Sequence, residues 1–146
     1  MLQSKILSAA IPFLLAASLL TAQTSVEKNL VKSFNLQGEQ LVMVDLPGPV
    51  AIQTWDQDLM RVQLTVRLSN GSENLLKSLV MAGRYNLKGE VTADGFLISC
   101  PGLAKTVTVQ GQELEESFEF SVWLPKKVTA KNIQGVPLVN TSVGSL

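Results

Sequence analysis

Residues 48–71, GPVAIQTWDQDLMRVQLTVRLSNG, alternate apolar and polar positions, break at Trp55-Asp56-Gln57-Asp58, and alternate again. A period of two is that of an extended strand with one buried and one wet face. The cleanest run is 59–68, where Met60, Val62, Leu64, Val66 and Leu68 interleave with Arg61, Gln63, Thr65 and Arg67. Residues 117–124 repeat it, with Phe118, Phe120, Val122 and Leu124 against Ser117, Glu119 and Ser121. Shorter runs at 30–36, 40–46, 49–55, 95–100 and 105–110, and a weak one at 127–133, predict further strands.

Turn chemistry separates these runs. Leu46-Pro47-Gly48-Pro49 cannot continue a ladder, because proline lacks an N–H. Ala93-Asp94-Gly95 predicts a hairpin, and Pro101-Gly102 and Pro125 end two strands. One segment changes period. In SENLLKSLVMAGRY, Leu75, Leu76, Leu79 and Val80 recur at helical spacing, with Ser72 placed to cap the start and Gly83 the end. One short helix at about 73–82, lying across the sheet, is expected. The fold class is therefore mainly β: an antiparallel-rich sandwich or roll, or a short β-solenoid, with that one helix.

The first residues have a different pattern. Lys5 is followed by ILSAAIPFLLAASLL, an uncharged apolar run over 6–20 that ends in TAQT. It is short for a membrane span and Pro12 interrupts it, so it reads as a secretory signal peptide cut after Ala22. The alternative is an uncleaved anchor. The division is then a signal peptide at 1–22, a β-rich domain at 23–133, and a small, polar C-terminal tail at 134–146 that resembles an unfinished strand turn. The expected location is periplasmic or extracellular, with the membrane met only through the export signal.

The chain has 146 residues, so one domain is expected. Loss of Lys5 with the leader leaves eleven basic against twelve acidic residues, with no run of like charge. That balance gives no electrostatic footprint for nucleic acid. There is no histidine, which removes the commonest general base and metal ligand, and one cysteine, Cys100, which precludes an internal disulfide. No metal site or cofactor is expected.

Two tryptophans are the candidate ligand-binding residues. Trp55 sits at the break with Asp56 and Asp58. An aromatic platform beside two carboxylates is one reading, and a strand corner with Trp55 packed and the aspartates capping N–H groups is the other. Trp123 falls on the polar side of its strand, in phase with Glu119 and Ser121. It either stacks on a sugar or partner surface, or lies under the helix or a second sheet. Glu113, Glu115, Glu116 and Glu119 form an acid-rich patch without calcium-loop spacing, in which Glu113, Glu115 and Glu119 share strand parity. It leaves a carboxylate-based hydrolase as a minor alternative, and a solvated strand face as the plainer one. Cys100 has no histidine to activate it and reads as an inert thiol at a strand end. Asn70-Gly71-Ser72 matches a glycosylation sequon and equally a turn before a helix cap.

SVEKNLVKSF, VAIQTWDQDLMRVQLTV and FEFSVWLPKKVTA together resemble an exported bacterial family of adhesin-like proteins with β-solenoid-like architecture, over about residues 25–133. The resemblance implies export and a surface role, and brings no catalytic or ligand residues. Members continue into glycine- and aspartate-rich strand repeats after the Pro-Lys-Lys-Val segment, whereas this sequence runs about fifteen residues beyond it. The reading is a secreted or periplasmic, non-enzymatic β-rich surface module whose partner is an envelope or cell-surface protein or a glycan. The alternative is a small binding protein for an apolar or saccharide ligand, with a pocket between the helix and the sheet and Trp55 or Trp123 at its mouth.

Overall fold

The computed structural model describes residues 25–135 and 138–141. The expected leader lies outside them, as does part of the tail. Eleven strands are described: β1 (Val26–Asn35), β2 (Leu41–Asp45), β3 (Val50–Trp55), β4 (Leu59–Leu68), β5 (Lys88–Thr92), β6 (Gly95–Ser99), β7 (Thr108–Val109), β8 (Gln112–Glu113), β9 (Glu116–Pro125), β10 (Thr129–Asn132) and β11 (Leu138–Asn140). One helix, α1 (Glu73–Met81), follows β4, and a 3₁₀ turn spans Pro101–Ala104. The mainly-β reading with a single α-helix holds.

The strands form two open, mixed sheets and a small hairpin. The larger sheet has the order β1-β4-β9-β3-β11, the smaller β10-β2-β6-β5, and β7 pairs with β8. The pairings β1–β4, β4–β9 and β5–β6 are antiparallel, whereas β10–β2–β6 and β11–β3–β9 are parallel. The chain passes from the smaller sheet to the larger at the Pro47-Gly48-Pro49 corner. Gly48 has φ +128°, and a Cβ there would lie 2.8 Å from the Phe118 carbonyl oxygen, so the corner requires glycine. β10 and β11 lie beside β2 and β3 in the same order. Thr129 lies beside Leu41 and Leu138 beside Val50, a separation of 88 residues in both sheets. A second rung is thus laid on the first.

Even-numbered side chains of both sheets meet in one core. Val42, Val44 and Ile98 from the smaller sheet and Met60, Val62, Leu64, Val66 and Val122 from the larger are fully buried. The alternation read from the sequence is the cause, since one phase of each strand is apolar throughout. At α1, the Leu75 amide donates to Ser72 Oγ at 3.1 Å, and Gly83 follows the last turn with φ +80°. Both caps are those the sequence predicts, and Leu76 is the helix residue that reaches the core.

Three expectations need adjusting. The strand at 105–110 contracts to Thr108–Val109, because Gln110 and Gly111 both take positive φ (51° and 79°) and turn the chain into the β7–β8 hairpin. β5 carried no alternating signal. It is an edge strand with exposed Lys88 and Glu90. Within the tail, Leu138–Asn140 is β11, aligned beside β3.

Candidate functional site

Odd-numbered residues of the larger sheet form a face turned away from the core. Its rows follow from register. Gln53, Trp123, Arg61 and Ser33 lie side by side across four strands. The next row toward the sheet end holds Trp55, opposite Pro125. The Arg61 guanidinium sits over the Trp55 ring, 4.8 Å from its centre, a contact worth about 0.5–1 kcal/mol at an exposed site. Half-buried Trp55 and Trp123 therefore share one patch with exposed Arg61, while Leu59 and Val31 (58% exposed) extend its apolar area.

The Trp55–Asp58 break is the corner between β3 and β4, which carries the chain past the end of β9. The Trp55 indole N–H donates to the Leu59 carbonyl at 2.8 Å and closes the corner. Asp56 pairs with Lys126 at 2.5 Å in the turn after β9. Trp123 lies on the outer face rather than beneath the helix, because Val122 and Leu124 take the core positions of β9. Arg61 went unnoticed in the sequence, where it is one more polar residue of an alternating strand. Only the insertion of β9 between β3 and β4 brings it to both tryptophans.

The acid-rich patch does not assemble into one site. Glu113, Glu115 and Glu119 keep their shared parity and are all exposed, but Glu113 is on β8, Glu119 on β9 and Glu115 between the two. Glu119 lies on the outer face, 3.2 Å from Arg67, which also pairs with Glu27 at 2.6 Å. Glu115 accepts from the Ser69 hydroxyl at 3.0 Å, and Glu113 is on the hairpin. Glu116 points inward. Arg84 grips it through two N–H groups, one at 3.0 Å, and the Tyr85 hydroxyl donates to it at 2.6 Å. The Arg84 and Glu116 side chains are only 10% and 7% exposed. Arg84 also donates to the carbonyls of Gly102 (3.1 Å) and Lys105 (2.7 Å), fastening the 3₁₀ turn to β9. The hydrogen bond to Glu116 raises the Arg84 pKa against the opposing effect of burial. Burial, then the hydrogen bond to Glu116, holds the Tyr85 phenol far above its usual value. The guanidinium stays charged and the phenol stays protonated, which suits a structural clamp.

Cys100 is buried at the end of β6, and burial pushes its thiol up to about 11, against a small opposing effect of Arg84. Asn70 of the sequon is engaged twice by its side chain, donating to the Glu113 carbonyl at 3.0 Å and accepting from the Glu115 N–H at 2.8 Å. Among the described residues, no group of three or more Cys, Asp and Glu side chains is placed to hold a metal ion.

A cavity of about 560 Å³ does open between α1 and β1, lined by Val26, Leu76, Val80 and Met81 with Lys28 and Lys77 near them. Neither tryptophan lines it, so the expected pocket under the helix and the aromatic pair are separate features.

No protein-family model matches the sequence, and no curated protein is similar to it at a significant level. Among solved structures, a provisionally named cell adhesion protein from Clostridium sporogenes ATCC 15579 is similar at 19% identity with a TM-score of 0.39. The similarity covers 73% of this chain and 46% of that one, so the chain spans less than half the length of that protein. A likeness of that extent carries no argument about function.

Proposed function

We propose that this chain is an exported, non-enzymatic contact module that meets a surface partner, a protein or a glycan of the cell envelope, through the outer face of its larger sheet. The observation that carries the reading is the Trp55–Arg61–Trp123 patch. Tryptophan and arginine are the side chains that dominate binding energy at interfaces, and here they gather on a sheet face instead of in the core. The non-enzymatic part is supported by the chemistry of the remaining groups. The single thiol is buried and protonated, the inward carboxylate is clamped, and the other acids of the patch lie on different elements. The leader-like start of the sequence supports export.

The test compares the wild-type chain with Trp123→Ala and Arg61→Ala on immobilised envelope fractions and on glycan arrays, alongside tryptophan fluorescence. Truncating a central aromatic contact costs roughly 2 kcal/mol or more, about thirtyfold in affinity. Loss of capture of that order, with unchanged circular dichroism, supports the face as the contact. Undiminished capture by both variants overturns it.

A further inference from the structure

The outer face of the larger sheet divides into two halves that treat their polar side chains differently. Toward the Glu27 end the polar groups satisfy one another. The Thr65 hydroxyl donates to Asn29 Oδ1 at 2.7 Å, and Arg67 pairs with Glu27 at 2.6 Å and with Glu119 at 3.2 Å. Toward the β3–β4 corner they do not. Ser33, Arg61, Trp123 and Gln53 form one row there, and Gln63, Ser121 and Ala51 lie in the next. No polar side chain of these two rows hydrogen-bonds or ion-pairs with another described residue.

Each of these groups has an atom to offer. The Trp55 indole N–H is spent on the Leu59 carbonyl, whereas that of Trp123 is not engaged by any described residue. Arg61 lies over the Trp55 ring, a contact that uses its charge but none of its N–H donors. Among the described residues, no aromatic ring and no cation lies over Trp123. Adjacent strands are about 4.8 Å apart, so Arg61 and Gln53 flank Trp123 within reach of the substituents of one six-membered ring seated on it. The two rows lie on β1, β4, β9 and β3, and all four strands are described over their whole length.

The charge of the patch selects among ligands of that outline. Arg61 is the charged side chain of the two rows and has no carboxylate opposite it, whereas Arg67 in the paired half has two. At the same end of the sheet the turn after β9 brings Lys126 and Lys127, and the β3–β4 corner brings Asp56 and Asp58. Asp56 is spent on Lys126, so the surroundings of Arg61 do not neutralise it. The amides and hydroxyls around Trp123 both donate and accept, as a polyhydroxylated ring requires, and an aromatic ring takes the apolar face of such a ring. An acidic peptide would engage Arg61 and leave Gln53, Gln63, Ser33 and Ser121 unused.

Resting on the reading of this face as the contact surface, we propose that its unpaired half binds an acidic saccharide. A uronic-acid ring stacks on Trp123, and its carboxylate is held by the Arg61 guanidinium, whose planar donors match it. Its hydroxyls exchange hydrogen bonds with Gln53 and, in the row behind, with Gln63 and Ser121. The half that holds Arg67, its charges already matched, takes no part.

The probes are short oligomers of galacturonate and of mannuronate, each set against its carboxyl methyl ester, which keeps the rings and hydroxyls and removes the charge. In titration calorimetry of the full chain, the acid form of at least one oligomer is expected to bind about tenfold or more tighter than its ester. Arg61→Gln should bring the acid down to the affinity of the ester, and the binding that remains shows that the variant is folded. Trp123→Ala should lose both forms, with its fold checked by circular dichroism. Thr65→Val, in the paired half, should bind both as the wild-type chain does. Equal affinity for acid and ester overturns the proposal, and so does a lack of binding by both acids at millimolar concentration. If the oligomers fail while Trp123→Ala and Arg61→Ala still lose capture by envelope fractions, the contact face stands and the acidic saccharide falls. If capture also survives in both variants, the face falls with it.

Discussion

At the scale of single residues, the side chains with the most to lose are not those on the exposed face. Glu116 sits where a carboxylate would be costly to bury without a partner, and three groups compensate it: two N–H groups of Arg84 and the hydroxyl of Tyr85. Replacing Glu116 with Ala strands the guanidinium and the phenol together, and loosens the hold of Arg84 on the carbonyls of Gly102 and Lys105. The expected cost is about 3 kcal/mol in urea unfolding, with Glu116→Gln losing less because it still accepts from Tyr85. An unfolding midpoint unchanged in Glu116→Ala would mean the clamp holds nothing. Cys100 makes a pH-dependent prediction. Its thiol ionises near 11 in the fold and near 9 when exposed. Between those values the unfolded chain gives up a proton that the native chain keeps, so stability falls as pH rises from about 9 toward 11. The Cys100 part of that fall is on the order of 2 kcal/mol and should be missing in Cys100→Ala, which keeps only the fall above about pH 10 due to Tyr85, whose phenol ionises there in the unfolded chain alone. A maleimide reagent at pH 8 should label Cys100 only after denaturation. Rapid labelling of the native chain would contradict the buried site.

At the scale of elements, legibility tracks the source of each element's stability. β4 and β9 are ten residues each with one apolar phase, and their limits stand in the sequence almost to the residue. α1 is equally legible, because its caps are local side-chain chemistry and involve nothing distant. β5 is illegible for the opposite reason. It is held by pairing with β6 alone, and its side chains are mostly exposed. The aromatic patch was half legible. Trp55 and Trp123 stood out as large rings in polar company, but their meeting with Arg61 depends on β9 lying between β3 and β4, and no local pattern encodes sheet order. In the acid patch the parity of Glu113, Glu115 and Glu119 was legible, since all three are exposed, but the inward grip of Arg84 on Glu116 was not, because it joins segments distant in sequence. The repeat of β2–β3 by β10–β11 was missed because the later copy has little alternation of its own. It is a strand pair by virtue of the rung it lies on.

At the scale of the whole molecule, the question is whether two sheets with separate strand orders behave as one unit. Phe120 is the residue that decides. It is 2% exposed, it lies opposite Val50 on one side and Leu64 on the other, and its N–H donates to the Pro49 carbonyl at the corner where the chain changes sheets. Removing its ring opens a cavity at the centre of β9 and at the joint between the sheets. The expected cost of Phe120→Ala is about 3–5 kcal/mol, a large share of a domain stability of roughly 5–15 kcal/mol. Val31→Ala on the outer face should stay within about 0.5 kcal/mol. Both tryptophans belong to the larger sheet, so their fluorescence follows that sheet alone, whereas far-UV circular dichroism follows both. With one shared core the two signals must fall together in urea, for the wild-type chain and for Phe120→Ala at its lower midpoint. If fluorescence changes while much of the dichroism persists, the smaller sheet stands without its neighbour, and the burial that joins them at Phe120 is not what makes the fold cooperative.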